Sequence, residues 1–299
     1  MIETRPLAAA AAMLAAMLII GFIDNFVVVI AENHGLWQFQ FLRTLMALPM
    51  VTAMTLLGMG GMRPLRWRAV AARSLFLSAA MMLYFGALAF LPIAEAVAGL
   101  FTSPVWVMII SVLFLGERVG PIRIGAAVAG FVGVILVLRP DAEALSPMVL
   151  VPVLAGFLYA IGAIATRRWC SGESALSLLA GNFLAMGAWS ALGLLVLTLF
   201  PQIAAPGPEG FLARGWVAPD GPFWFWTFVQ ALGSVVGVWL IVRAYQLGEA
   251  SFSASFEYSL LVFVAAWAWI LRGETLDPFA LVGIGVIVAS GAVIALRGR

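Results

Sequence analysis

The sequence contains no lysine, and all sixteen of its basic side chains are arginines. It has a single cysteine, Cys170, and a single histidine, His34. Without lysine the chain cannot be an ATP-driven pump with a P-loop lysine, or an enzyme with a catalytic lysine. One cysteine cannot form a disulfide within the chain, and one histidine cannot build a multi-histidine metal site. We therefore expect no metal and no cofactor.

Charged residues are also scarce. They make up 10% of the 299 residues, whereas hydrophobic residues make up 64%. A soluble domain has roughly 25% charged and roughly 45–50% apolar residues. The composition therefore indicates an integral membrane protein surrounded by the lipid bilayer. The arginines behind the net charge of +2 follow the connections and form no basic face, so we expect no nucleic-acid partner.

Long apolar runs fill most of the chain. At roughly 20 apolar residues per span, it has room for about ten transmembrane helices and no soluble domain. The first run is too long for the core of a signal peptide, so we expect it to be retained. Charges, glycine and proline that bound the runs predict helices over residues 7–31, 36–57, 69–90, 94–115, 121–138, 147–166, 174–200, 222–245, 250–271 and 278–296.

One pattern occurs twice. The segments VLFLGERVGP (112–121) and WILRGETLDP (269–278) each end an apolar run with Gly-Glu and place proline five residues after that glycine. We therefore divide the chain into a first repeat, 1–140, and a second repeat, 141–299. Five helices per repeat is an odd number, so the repeats must have opposite orientations in the membrane. The predicted fold is an all-α membrane protein with ten transmembrane helices in two inverted five-helix repeats, which is typical of secondary transporters.

The arginines indicate an orientation. If the N-terminus is cytoplasmic, twelve of the sixteen arginines fall in cytoplasmic segments, and most acidic loop residues fall on the other side. The positive-inside rule then predicts that both termini are cytoplasmic. We expect a multi-pass protein of the bacterial inner (plasma) membrane.

Several short segments carry a family resemblance. The first helix contains FIDNF at 22–26, and the second contains an aromatic-x-Arg pattern, FLR, at 41–43. The fourth contains FTSP at 101–104, followed by LFLGE, and a second Gly-Glu pair ends the ninth. With these segments the whole chain resembles the drug/metabolite transporter (DMT) superfamily, in its ten-helix branch with two EamA-type repeats.

Within that family the chain looks most like the exporters of aromatic and other neutral amino acids. It departs from them at Asp24, where a small residue is usual, and at Glu257, an additional acid. The resemblance implies export of small neutral or zwitterionic solutes from the cytoplasm by alternating access through a central cavity between the repeats. Amino acids, including aromatic residues, methionine and threonine, are the expected substrates. We expect no enzymatic activity, since HExxH and GxSxG motifs are missing. No motif specifies the oligomeric state, and a monomer is one of the states that the sequence leaves open.

Three ionisable side chains lie well inside the predicted helices: Asp24, Arg43 and Glu257. Such a group costs roughly 2.5–3.5 kcal/mol at a helix centre and is usually paired, hydrated or functional. Arg43 could hold a carboxylate with two hydrogen bonds, or it could snorkel to headgroups or pair with Asp24. Asp24 and Glu257 could bind an ammonium group, carry a coupling proton or pair with Arg43. The alternative function is a proton-coupled drug or metabolite exporter that uses Asp24 or Glu257.

Polar and aromatic residues on predicted inner faces complete the candidate substrate site. Ser255 and Tyr258 share a stripe of the ninth helix, and Pro104 interrupts the fourth helix and frees a backbone carbonyl. Trp239 matches an aromatic residue of the family, although it lies opposite the predicted inner face of its helix. Helix packing or interfacial anchoring is the alternative role for these residues. The substrate candidates are Asn25, Arg43, Phe101, Ser103, Pro104, Tyr159, Ser234, Trp239, Ser255 and Tyr258.

Overall fold

The computed structural model describes residues 5–87, 91, 93–117, 119–139, 147–274 and 277–297, and these ranges contain helices and no strand. As predicted, they provide ten spans that are long and apolar enough to cross a membrane. The helices are α1a (Pro6–Asp24), α1b (Val27–Ala31), α2 (Leu36–Leu56), α3 (Trp67–Ala87), α4a (Ile93–Leu100), α4b (Ser103–Leu115), α5 (Pro121–Leu138), α6 (Leu150–Arg168), α7 (Ala175–Leu199), α8 (Gly221–Leu247), α9a (Ala250–Ala254), α9b (Ser259–Arg272) and α10 (Pro278–Arg297). The last residues of the predicted third helix, 88–90, lie outside the described residues.

The Gly-Glu pairs are helix ends. Gly116 follows α4b and Gly273 follows α9b, with φ angles of 65° and 67°. This left-handed conformation is the one that glycine adopts at low cost when it terminates a helix. Pro121 and Pro278 then begin α5 and α10, at a position where a missing N–H leaves no helical bond unmade. The repeated segment therefore encodes the same helix corner in both halves.

Three of the spans in the described chain are broken by short turns. α1 breaks at residues 25–26, α4 at 101–102 and α9 at 255–258. Ser103 and Pro104 occupy the first turn of α4b, so Pro104 interrupts the fourth helix as predicted.

The breaks in α1 and α9 correct the continuous helices that the sequence predicts there. In α9 the backbone N–H of Glu257 donates to the carbonyl of Ala254 at 3.0 Å, a tighter i→i−3 bond than a regular helix makes. In α1 the N–H of Phe26 likewise donates to the carbonyl of Ile23 at 3.0 Å. Apolar periodicity is read over a whole span and does not register such local tightening, although both breaks lie at polar residues.

The helices pack with the symmetry of an inverted repeat. α1 packs against α8 and α9, and its counterpart α6 packs against α3 and α4. α2 packs against α8 as α7 packs against α3, while α2 pairs with α7 and α5 with α10. Exchanging each helix for the one five places later leaves this pattern unchanged. The predicted pair of inverted five-helix repeats is confirmed.

Glycines allow the closest helix contacts. A Cβ on Gly133 of α5 would meet the carbonyl oxygen of Gly283 of α10 at 2.8 Å, and a Cβ on Gly283 would meet that of Gly133 at 2.7 Å. In the same way a Cβ on Gly237 of α8 would lie 2.8 Å from the Ile20 side chain of α1a. Without a hydrophobic drive between helices in lipid, such close backbone contact is a principal source of packing energy.

The two ends of the bundle are closed in different ways. The terminal end, which holds the start of α1a and the end of α10, has an ion pair of 2.6 Å between Arg123 and Glu249. Beside it the Ser251 hydroxyl donates to Glu117 of the first Gly-Glu pair at 3.0 Å. At the far end the segment 200–220 docks on the start of α2, where Gln38 exchanges two hydrogen bonds with the backbone of Val217.

Candidate functional site

Asp24 faces the interior of the bundle. It ends α1a, which packs against α8 and α9, yet its charge interacts with Arg43 on α2 and with Tyr84 on α3. Because α2 and α3 are not main neighbours of α1a, the Asp24 carboxylate must point into the space between these helices. Its side chain is exposed. Asp24 therefore borders the interior region between α1a, α2 and α3, which we call the charged cavity.

Arg43 reaches the same space from α2. Its Nη1 donates to the Ser234 hydroxyl of α8 at 3.2 Å, and its guanidinium lies 5.3 Å from the ring centroid of Phe39. Its Nε is buried and has no hydrogen-bond partner. In the described part of the chain no ion pair joins Arg43 to Asp24. The two charges therefore interact without a direct ion pair, and each retains capacity for a ligand.

Asn25 holds the break in α1 together. Its Nδ2 donates to the carbonyl of Gly21 at 2.8 Å and to that of Val264 in α9b at 3.3 Å. The Asn25 carbonyl in turn accepts from Arg272 at 3.1 Å, while Oδ1 is buried without a partner. The geometry gives the Asn25 amide nitrogen a structural role and leaves only Oδ1 to contact a solute.

Glu257 occupies the break in α9. Its carboxylate is 5% exposed, and one oxygen, Oε1, accepts from the Tyr245 hydroxyl at 2.7 Å and from the Tyr159 hydroxyl at 3.2 Å. Tyr159 lies on α6 and Tyr245 on α8, so the carboxylate joins three helices. The predicted candidates Tyr159 and Glu257 are thus brought into direct contact.

Arg73 is a further charged residue inside a membrane span. It lies on α3, is 2% exposed, and donates from Nε to the Thr166 hydroxyl and from Nη1 to the Leu178 carbonyl, both at 3.0 Å. Its charge interacts with Tyr159. Arg73 is one of the twelve arginines predicted to lie in cytoplasmic segments, and it is buried among α3, α6 and α7, next to the end of α6 and the start of α7.

Phe101 and Tyr258 meet each other away from Asp24 and Arg43. Their rings are 6.2 Å apart between centroids, within an apolar cluster that includes Val134 and Ile287 of α5 and α10. The Tyr258 hydroxyl is buried without a partner. The structure therefore separates these two candidates from the charged cavity.

The remaining candidates divide between the cavity and the frame. Ser234 is on the cavity through its bond with Arg43, whereas the Ser255 hydroxyl donates to the Ser251 carbonyl of its own helix at 3.0 Å. Ser103 and Pro104 are buried at the break in α4. Trp239 is half-buried against the packed residues of α2 and α7, and its indole N–H is buried without a partner.

Sequence reasoning missed Tyr84 and Tyr245. The chain has four tyrosines, and each interacts with one of the two intramembrane carboxylates: Tyr84 with Asp24, and Tyr159, Tyr245 and Tyr258 with Glu257. Tyrosine is rare in this sequence, with four residues against 21 phenylalanines, and this rarity could have identified Tyr84 and Tyr245 as candidates. A phenol inside an apolar helix needs a partner for its hydroxyl, so each tyrosine was a candidate.

Among the described residues, two surface cavities are notable, and neither is lined by Asp24 or Arg43. One of about 240 Å³ lies at the terminal end, lined by Arg167, Glu173 and Arg243 among others. The other, of about 390 Å³, is an apolar groove between α5 and α10. Over the residues that the structure describes, no group of three or more His, Cys, Asp or Glu side chains could hold a metal ion.

The chain has relatives of known transport function. It is 27% identical to a riboflavin transporter of Rhizobium johnstonii over 88% of this chain and 80% of that one. It is 26% identical to an S-adenosylmethionine uptake transporter of Rickettsia felis, over 70% and 67% of the two chains, and 25% identical to a pseudopaline exporter of Pseudomonas aeruginosa, over 72% and 70%.

The fold also has a counterpart of known structure. A protein solved by crystallography matches 96% of this chain and 98% of its own, with a TM-score of 0.78 at 20% identity, which shows a shared fold. The sequence model of the EamA-like transporter family matches residues 7–139 and 146–296. The relatives are transporters and not enzymes, as expected. With both halves matched, this multi-pass membrane protein belongs to the EamA-like transporter family of the DMT superfamily.

Proposed function

We propose that this transporter exports small zwitterionic solutes, amino acids first, through the space between Asp24 and Arg43. The observation that carries the proposal is the pair of opposite charges that face each other in this space without forming an ion pair. An α-amino acid carries a carboxylate and an ammonium group in a fixed relationship. Arg43 can hold the carboxylate through two N–H donors, and Asp24 can accept from the ammonium group.

The surroundings favour an apolar or aromatic side chain on the substrate. Phe26 follows Asp24 closely and stacks on Trp226 of α8 at 3.9 Å between ring centroids, and Phe22 meets Phe26 edge to face at 5.2 Å. Aromatic walls with few polar groups suit aromatic residues, methionine and threonine more than sugar phosphates or polycations. We assign Tyr159 to the wall of the same space, with its hydroxyl directed to Glu257.

Arrangement in the membrane is part of the proposal. We propose that both termini are cytoplasmic in the bacterial inner membrane and that the units are 1–140 and 141–299. The family match to residues 7–139 and 146–296 supports this division. The arginine-rich connections at the terminal end support the orientation.

A second candidate is export or uptake of a larger metabolite or drug. Its support is the substrates named for the relatives, riboflavin and S-adenosylmethionine, which combine a planar heteroaromatic ring with a polar arm. S-adenosylmethionine also carries an amino-acid group, which the Asp24 and Arg43 pair would hold in the same way.

The test is counterflow in proteoliposomes loaded with one unlabelled solute and offered the same solute labelled. The panel contains the twenty amino acids, S-adenosylmethionine and riboflavin. We expect counterflow of phenylalanine, tyrosine, tryptophan or methionine, lowered at least tenfold in Arg43→Gln. The matched control is Arg139→Gln at the far end, which leaves the cavity intact. Counterflow of riboflavin with no amino acid in the panel moving would replace the first candidate by the second.

A further inference from the structure

Glu257 is a buried carboxylate with hydroxyl partners only. In the described chain it forms no ion pair, and its hydrogen bonds come from the neutral phenols of Tyr159 and Tyr245. Asp24 differs in both respects, because it is exposed in the cavity and faces the charge of Arg43. The two intramembrane carboxylates are therefore built for different tasks.

The groups around Glu257 are few. From α6 it meets Tyr159, from α8 Tyr245, and from its own turn Tyr258. The described helix α4b, which packs on α9a, has no titratable side chain, and α1a has only Asp24 at its far end.

The nearby arginines have partners other than Glu257. Arg73 of α3 interacts with Tyr159. On α5, Arg123 pairs with Glu249 and donates to Ser251.

Hydroxyl partners suit a carboxyl group that changes its charge. An ionised carboxylate buried without a cation costs several kcal/mol, and binding one proton removes that charge. A phenol donates to the ionised form, and after rotation of its O–H bond it accepts from the protonated form. Tyr159 and Tyr245 can therefore satisfy Glu257 in both states, which an arginine partner could not do.

From this geometry we infer that Glu257 binds and releases the proton that drives transport, and that Asp24 serves the substrate. The inference rests on the proposed transport function and names its coupling ion. One proton from the water on one side converts the carboxylate to the acid, and the same proton leaves to the other side. Exchange of that proton for a zwitterion without net charge moves one charge across the membrane in each cycle.

The position of Glu257 links proton binding to the terminal end of the bundle. It lies in the turn between α9a and α9b, and α9a carries Ser251, which donates to Glu117 at the terminal end. A change in the hydrogen bonds of Glu257 therefore acts on the turn through which α9a is held to α9b. This gives a physical route from proton binding to opening of the terminal end.

The first test needs no substrate. Infrared spectra of the purified protein are recorded through an acid titration, and the C=O band of protonated carboxyl groups is followed. The chain has 14 aspartate and glutamate side chains, so this band has several components. We expect one component that titrates in the wild type and in Asp24→Asn and is missing in Glu257→Gln. A band that is unchanged in Glu257→Gln overturns the inference. If Glu257→Gln unfolds, Tyr245→Phe keeps the carboxyl group and should move the midpoint of the band to higher pH; an unmoved midpoint also contradicts the inference.

The second test separates coupling from transport. In proteoliposomes we expect a pH gradient to drive net substrate movement at least tenfold faster in the wild type than without the gradient. Collapse of the gradient should not stop counterflow. Wild-type counterflow, together with net substrate movement that does not respond to the gradient, refutes proton coupling by Glu257 and leaves the proposed function standing. Absence of counterflow for the whole panel refutes the proposed function, while the infrared result still decides the proton site.

Discussion

Phe101 and Tyr258 occupy equivalent positions in the two repeats and touch each other. Each lies fifteen residues before the glycine of its Gly-Glu pair, and their rings meet edge to face with centroids 6.2 Å apart. Both stand at the break of their helix. The contact between two equivalent residues places them where the repeats meet. These aromatic rings therefore hold the two broken helices together.

The hydroxyl of Tyr258 adds nothing to this contact. It is buried without a partner, so Tyr258→Phe removes an unsatisfied polar group and keeps the ring. We expect an unfolding free energy that is unchanged or higher by about 1 kcal/mol. Tyr258→Ala removes the ring and should cost about 3–5 kcal/mol, as large-to-small changes in packed cores do. Thermal unfolding in detergent measures both, and a large loss in Tyr258→Phe would show a hydrogen bond that the structure lacks.

The α5 and α10 crossing depends on two glycines. A Cβ on Gly133 would approach the Gly283 carbonyl to 2.8 Å, so Gly133→Ala must push the helices apart. We expect a loss of about 1–3 kcal/mol in unfolding free energy, the usual cost of overpacking.

A matched control lies on the same helix. A Cβ on Gly125 would meet nothing within 4 Å, and Gly125→Ala should be neutral or slightly stabilising because alanine favours helices. Equal melting temperatures for the two alanine variants would refute the close crossing.

The ion pair at the terminal end should restrain α9a. Arg123 is nearly buried and lies 2.6 Å from Glu249, so Glu249→Gln leaves its charge without this partner. We expect amide hydrogen exchange in Ala250–Ala254 to rise about two- to fivefold, which corresponds to up to about 1 kcal/mol. Glu274→Gln, at the exposed pair with Arg272 on the far end, is the control. Equal exchange in the two variants would show that the Glu249 pair restrains nothing.

The single cysteine gives a test that depends on pH. Burial raises the pKa of the Cys170 thiol, which lies in the turn between α6 and α7, and the thiolate is the reactive form. Folded protein should therefore be alkylated by iodoacetamide more slowly than protein unfolded in SDS, with a midpoint at higher pH.

The same pKa shift determines how the stability of the folded protein depends on pH. The contribution of the Cys170 thiol to the free energy of unfolding is fully present below the pKa of the thiol in the unfolded protein. It is lost as the pH rises through the higher pKa of the thiol in the folded protein. Alkylation profiles with identical midpoints in folded and unfolded protein would contradict the burial of this thiol.

Prediction from sequence succeeded where the signal was repeated or periodic. The ten spans, the inverted repeats and the break before Pro104 follow from apolar length, from the Gly-Glu segments and from the chemistry of proline. The partners of Glu257 did not follow, because Tyr159, Tyr245 and Glu257 come from three helices whose relative rotation no local pattern specifies. Arg73 was missed for a related reason, since a charge one to two turns inside a helix can face headgroups or the core.

The same limit explains the divided site. The stripe that pairs Ser255 with Tyr258 assumes a regular helix, but the helix is broken at 255–258. The Ser255 hydroxyl donates to its own helix, while the Tyr258 ring packs on Phe101. Asp24, Arg43 and Ser234 did converge, because each lies on a face that a cavity between the repeats must include.

The most direct test of the account asks whether Arg43 recognises a carboxylate. Proteoliposomes measure counterflow of labelled phenylalanine in competition with unlabelled phenylalanine or with phenylalaninamide, which keeps the ammonium group and ring but has no carboxylate. A charge-assisted hydrogen bond is worth about 1.5–3 kcal/mol, so the wild type should prefer the acid by about tenfold or more, and Arg43→Gln should lose this preference. Equal competition by acid and amide in the wild type, or an unchanged preference in Arg43→Gln, would contradict the zwitterion site between Asp24 and Arg43.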